Sequence, residues 1–118
     1  MPTKNDIKQL ILAAEQGHVH AQYMLGVMYK HGKGVPHNDK TAVKWYTRAA
    51  EQGHAESQFQ LGWMYYDGKG VPHNDKTAIK WYTRAAEQGH TESQYYVKRI
   101  AKDFESLPSQ KSSEKTIH

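Results

Sequence analysis

The stretch from Gly32 to His54, GKGVPHNDKTAVKWYTRAAEQGH, returns from Gly68 to His90 as GKGVPHNDKTAIKWYTRAAEQGH. The copies agree at 22 of 23 positions, Val43 against Ile79 being the exception. The closing string Ala-Ala-Glu-Gln-Gly-His occurs a third time at Ala13–His18, which sets the period at 36 residues. A period of this size marks units of one supersecondary element each, which bury their apolar faces only by stacking. The closeness of the copies points to a recent tandem duplication.

Each unit reads as two helices. Helix A is expected over about Val19–His31 and Ala55–Asp67, where Tyr23, Leu25, Met28 and Tyr29 recur at helical spacing. Gly32 and Gly68 follow the last periodic residue, where a left-handed C′ residue needs no Cβ. Pro36 and Pro72 keep the intervening loop out of helix. Asn38-Asp39 and Asn74-Asp75 supply an N-cap oxygen and a first-turn carboxylate. Helix B is then expected over about Asp39–Gln52 and Asp75–Gln88, stopping at Gly53 and Gly89. Its apolar face is Ala42, Val43, Trp45, Tyr46, Ala49 and Ala50. The alanine pairs allow close helix approach, and Trp45 and Trp81 fill the remaining space.

The ends are fractional. Thr3–Gln16 holds the helix-B register with Gln9 in place of tryptophan, and Thr91–Asp103 holds the helix-A register with Val97-Lys98 in place of Leu-Gly. Atypical terminal units suit a finite stack, whose outer faces meet water. The expected organisation is a solenoid over 1–104, made of a half-repeat 3–18, repeats 19–54 and 55–90, and a half-repeat 91–104. A disordered Ser-, Lys- and Pro-containing tail over 105–118 follows. The expected fold class is all-α, a right-handed α-α superhelix of antiparallel helix pairs.

The pattern Ala-Gln-Tyr-x-Leu-Gly-x-Met-Tyr-x-x-Gly-x-Gly-Val-Pro, followed by Ala-x-x-Trp-Tyr-x-x-Ala-Ala-Glu-Gln-Gly-His, resembles the Sel-one-like repeat, a branch of the tetratricopeptide superfamily. Two full copies cover about residues 19–90. Where the usual pattern has an acid and then an aromatic after Val-Pro-x, this chain has Asn38-Asp39 and Asn74-Asp75. The resemblance implies an α-solenoid adaptor in protein complexes and implies no catalytic residues.

Helix B is nearly constant between copies and helix A is not. The positions that change chemistry are His20/Glu56/Glu92, Met24/Gln60/Tyr96, Val27/Trp63/Arg99 and His31/Asp67/Asp103. Spaced by four, three and four residues, they form one stripe at about 100° per residue. Side by side, such stripes make a surface on the concave side of a tetratricopeptide-like stack. The expected partner-binding residues are His20, Met24, Val27, His31, Glu56, Gln60, Trp63, Tyr66, Asp67, Tyr96 and Arg99. Trp63 is the expected anchor, since aromatics and arginine dominate binding hot spots. Drift at positions that packing leaves free is the plainer explanation of the same stripe.

Composition narrows the remaining classes. The 118 residues are 37% hydrophobic, with a mean hydropathy of −0.91. Sixteen Lys plus Arg against twelve Asp plus Glu leave +4, spread along the chain, so no nucleic-acid partner is expected. No apolar run reaches the ~18 residues of a membrane span, so no membrane partner is expected either. There is no cysteine for disulfides, thiolate ligands or nucleophiles. The first residues lack an apolar signal region, which favours a cytoplasmic location, or a periplasmic or secreted one after loss of a leader.

Eight histidines raise the question of a metal, but His18-Val-His20 is a two-ligand spacing without a third, and zinc sites want three or four. No metal or other cofactor is expected. Ser57, Ser93 and Thr47 show no repeated His–carboxylate arrangement for nucleophilic catalysis. Gly32-Lys33-Gly34 lacks the strand and second glycine of a phosphate loop. Lys8, Lys40, Lys44, Lys76 and Lys80 read as a solvated helix-B face. The expected function is non-enzymatic binding of another protein or peptide on the helix-A face. The alternatives are self-association through apolar ends (Ile7 and Ile11; Tyr95, Ile100 and Phe104) and, less favoured, a hydrolase or metal site among the groove histidines.

Overall fold

The computed structural model describes residues 2–105, with side chains to residue 103. Six helices follow one another: α1 (Lys4–Glu15), α2 (Val19–His31), α3 (Asp39–Glu51), α4 (Ala55–Asp67), α5 (Asp75–Glu87) and α6 (Thr91–Glu105). No strand occurs among the described residues. The helices α2 and α4 are the A helices of the full repeats, α3 and α5 their B helices, and α1 and α6 the half-units. α6 runs to Glu105, a residue expected in the tail; the rest of that tail lies outside the described residues.

Local chemistry sets the boundaries. Thr3 and Asp6 form a capping box at α1, and the Asn38 and Asn74 side chains accept from the Thr41 and Thr77 amides at 3.0 Å. Gly32 and Gly68 are themselves the C-caps of α2 and α4, with φ of 66° and 68°, rather than the residues beyond the caps. Both bend the chain through the left-handed region into the loop.

The packing alternates along the stack. Trp45 of α3 buries itself against Ala14 of α1 and Leu25 and Met28 of α2. One repeat on, Trp81 of α5 does the same against Ala50, Leu61 and Met64. Each helix-B tyrosine lies flat on a glycine of its own helix A. A Cβ on Gly26 would stand 2.6 Å from the Tyr46 ring, and one on Gly62 would stand 2.9 Å from Tyr82. Real Cβ atoms do not approach so closely, so these glycines set the helix spacing.

Every apolar unit therefore bridges three helices, and the chain grows in one dimension. The radius of gyration is 16.9 Å, with extents of 62 × 25 × 20 Å. A compact domain of this length would be near ~13 Å. The molecule is an all-α solenoid of antiparallel helix pairs. No described helix is long and apolar enough to cross a membrane.

Candidate functional site

Along helix A, the variable stripe is half open to solvent. His20, Met24, His31, Asp67, Glu92, Arg99 and Asp103 are exposed, Met24 at 39%. Val27, Glu56, Gln60, Trp63, Tyr66 and Tyr96 are half-buried. A continuous polar chain crosses the stack through this stripe. Lys30 Nζ donates to Gln60 Oε1 at 2.6 Å, Gln60 Nε2 donates to Glu56 Oε1 at 3.3 Å, and Glu56 Oε2 meets His90 Nε2 at 2.7 Å. It ties α2 through α4 to the start of α6. Burial lowers the Lys30 pKa from its ordinary value, with Asp39 and Glu56 opposing.

Trp63 is half-buried rather than freely exposed, packing against two core clusters at once. The Lys30 ammonium lies 4.5 Å from the centre of its ring, a cation–π contact. Part of the ring still lines a shallow recess of about 180 Å3 that Lys30, His31, His37 and Lys69 also border. Tyr96 is drawn into the core edge, stacked on Tyr82 at 5.3 Å and 13°. Tyr66 packs against the same cluster as Tyr96, with His73 at 6.4 Å. Arg99 is turned back to the Tyr95 hydroxyl at 3.0 Å, which raises its pKa. Of the C-terminal apolar end expected from the sequence, Ile100 is 3% exposed and Tyr95 is 54% exposed, and the Phe104 side chain lies outside the described residues.

Two sets of residues went unrecognised in the sequence. The first is a glutamine ladder. Gln22, Gln58 and Gln94 each donate to the carbonyl of an alanine in the preceding helix B (Ala14, Ala50, Ala86) at 3.0–3.1 Å. Gln52 and Gln88 then bond to Gln22 and Gln58 across the next junction, at 2.8 and 3.0 Å. The signal was present: a glutamine recurred in register inside each apolar helix-A segment, where a long polar side chain is buried only if it is bonded.

The second set is histidine. His54 and His90 cap α4 and α6, each Nδ1 accepting from the amide of Ser57 or Ser93 at 3.2 Å. Their rings also lie against Tyr23 and Phe59 at 4.8 and 4.7 Å. His90 bridges Ser93 Oγ (2.9 Å) and Glu56 (2.7 Å), a Ser–His–carboxylate row hidden in the sequence because Glu56 comes from the preceding repeat. Ser93 is fully buried, so its hydroxyl has no route to a substrate. The first junction has His20 where Glu56 would be. The row is a joint between repeats.

The geometry above recurs in known proteins. The Sel1 repeat family matches residues 19–54 and 55–90. The chain belongs to the Sel1-repeat family. Sel1-repeat proteins generally serve as protein–protein interaction scaffolds and are typically non-enzymatic. The chain is similar to a Sel1 repeat protein from Oxalobacter formigenes, with a TM-score of 0.77 and 37% identity over 80% of this chain and 71% of that one. It is similar to c5321, a protective antigen of uropathogenic Escherichia coli, with a TM-score of 0.73 and 42% identity; the match spans 75% of this chain but 19% of the antigen. It is also similar to the cysteine-rich protein B of Helicobacter pylori, with a TM-score of 0.75 and 26% identity over 81% and 72%. No curated protein sequence matches. This Sel1-repeat chain has no cysteine, so its stack is held by packing and the glutamine and histidine joints. Among its described residues no three His, Cys, Asp or Glu side chains are grouped to hold a metal ion.

Proposed function

We propose that this chain is a small non-enzymatic adaptor that captures a partner protein or peptide along the helix-A stripe. One observation supports the reading above all. The helix-A positions His20/Glu56, Met24/Gln60, Val27/Trp63 and His31/Asp67 change chemistry between the repeats and share one half-open strip, while Leu25, Gly26 and Met28 recur in the second copy and are packed. Met24 and the outward part of Trp63 provide apolar contact, Asp67 and Arg99 provide a charged rim, and His31 adds a polar one.

The half-burial of Trp63 changes how the reading is tested. Removing its ring would open a void between two core clusters as well as removing a contact surface. Met24→Glu is the cleaner probe, because the side chain is exposed. Host-cell partners crosslinked to the wild-type chain are expected to disappear with Met24→Glu and to remain with Lys80→Glu on the helix-B face. Loss of capture with Lys80→Glu and its retention with Met24→Glu would place the contact on the other face and defeat the proposal.

A further inference from the structure

A cleft of about 540 Å3 lies at the α1 end. Ile7 and Leu10 of α1 form one wall, and Met24, Val27 and Met28 of α2 form the other. Asp6 and Lys33 stand at its rim. No described residue fills it.

The repeat itself shows what covers such a cleft. One period on, the same positions are Val43, Tyr46, Gln60, Trp63 and Met64, and they are covered by α2. Gly26 of α2 takes the Tyr46 ring, and Lys30 reaches Gln60 and Trp63. The cleft is thus an open seat for a helix A. We infer that a second copy of this chain supplies that helix, its α6 docking between α1 and α2 as α2 docks between α3 and α4.

The residues at this junction differ from the internal one in matched ways. The Gly26–Tyr46 contact fixes the antiparallel register: carried one step further, position 30 faces position 42. At the proposed junction Lys98 faces Leu10, and Lys102 faces Asp6. The glycine and the ring are replaced by a long flexible cation, which can lay its aliphatic stem on the surface with its ammonium in water, and a smaller apolar side chain. Lys102 keeps the charge of Lys30, while the seat exchanges the Gln60 acceptor for Met24 and gains a carboxylate at Asp6, where the interior has Ala42. That carboxyl is held below its ordinary pKa by the Thr3 hydrogen bonds. At the rim a carboxylate replaces an imidazole. Inside the stack, His31 and Lys69 share one recess; at the junction, Asp103 and Lys33 take those places. Such a contact is heterologous and does not close, so copies add end to end.

Sedimentation equilibrium from micromolar to near-millimolar chain tests this. The mass is expected to rise with concentration above the 13.5 kDa of one chain. Lys102→Glu sets two carboxylates together and is expected to weaken association by about tenfold or more. Asp6→Lys should do the same, and an equimolar mixture of the two variants should regain association. Circular dichroism monitors α1 in Asp6→Lys, which also loses its capping box; Lys102 is exposed, so Lys102→Glu is decisive without that control. A constant single-chain mass for the wild type, or association unchanged by Lys102→Glu, would overturn the inference. Met24 and Val27 line both surfaces, so Met24→Glu bears on both proposals; Lys102→Glu lies off the partner stripe, and association lost with partner capture retained tells them apart.

Discussion

Helix A occurs three times in the stack, and the third differs from the first two at one informative position. α2 and α4 carry Gly26 and Gly62 beneath a tyrosine of the following helix B, whereas α6 carries Lys98, exposed to solvent. Glycine weakens a helix by about 1 kcal/mol relative to alanine. Its presence in α2 and α4 is therefore a requirement of docking and not of helix formation. The difference teaches that a repeat is defined by its junctions: where the tyrosine is absent, the glycine is free to become a long cation.

The largest effect should come from breaking this contrast. Gly26→Val places a branched side chain into the space of the Tyr46 ring, and the neighbours cannot yield by the ångström it needs. Overpacking of this kind costs about 3 kcal/mol. Lys98→Val, at the same register in α6, should change stability by less than about 0.5 kcal/mol, as surface substitutions do. Urea denaturation of both variants measures the pair. Equal effects would mean that the tyrosine–glycine contact does not set the spacing.

A second contrast concerns the ladder. Gln58 and Gln94 make the same bond to an alanine carbonyl, but Gln58 is 4% exposed and Gln94 is open to water. Gln58→Ala leaves the Ala50 carbonyl with the Gly53 amide alone and removes one of the two acceptors of Gln88, at a cost of about 1 kcal/mol. Gln94→Ala leaves a carbonyl that water can reach, so its cost should be a fraction of that. A similar loss for both would show that burial does not govern the strength of the ladder.

The sequence made the helices and their order readable because the period, the loop prolines and the Asn38 and Asn74 caps act locally. Gly26 was visible only as a letter in a motif, since its reason lies twenty residues away in Tyr46. Trp63 looked like an open anchor because its neighbours in sequence are polar or point elsewhere. Its burial comes from Lys30 and from core residues one repeat away, contacts that no helical wheel contains. Glu56 was legible as a stripe residue, but its link to His90 required knowing that consecutive helix-A starts lie side by side. Local chemistry was readable throughout; what joins one repeat to the next was not, because it depends on which faces meet.

The smallest effect belongs to the histidine at the first junction. His54 caps α4 through Nδ1 as an acceptor, which requires that nitrogen to be free of a proton. Burial lowers its pKa from the ordinary 6.5, His20 adds to that, and Glu56 opposes. The folded state therefore binds protons less readily than the unfolded chain. Stability from this group is complete above about pH 6.5 and is lost as pH falls from there through the lowered value. Because the ring is only half-buried and water screens its charge in part, the loss should stay under about 1 kcal/mol. His54→Asn keeps a capping acceptor that does not titrate, so its stability should fall less between pH 7 and about pH 5 than that of the wild type. His31, whose pKa burial also lowers with Lys30, Lys33 and His37 adding repulsion, contributes in the same direction and is retained in that variant. An unchanged slope in His54→Asn would assign the acid sensitivity to His31 and leave the cap at α4 indifferent to protonation.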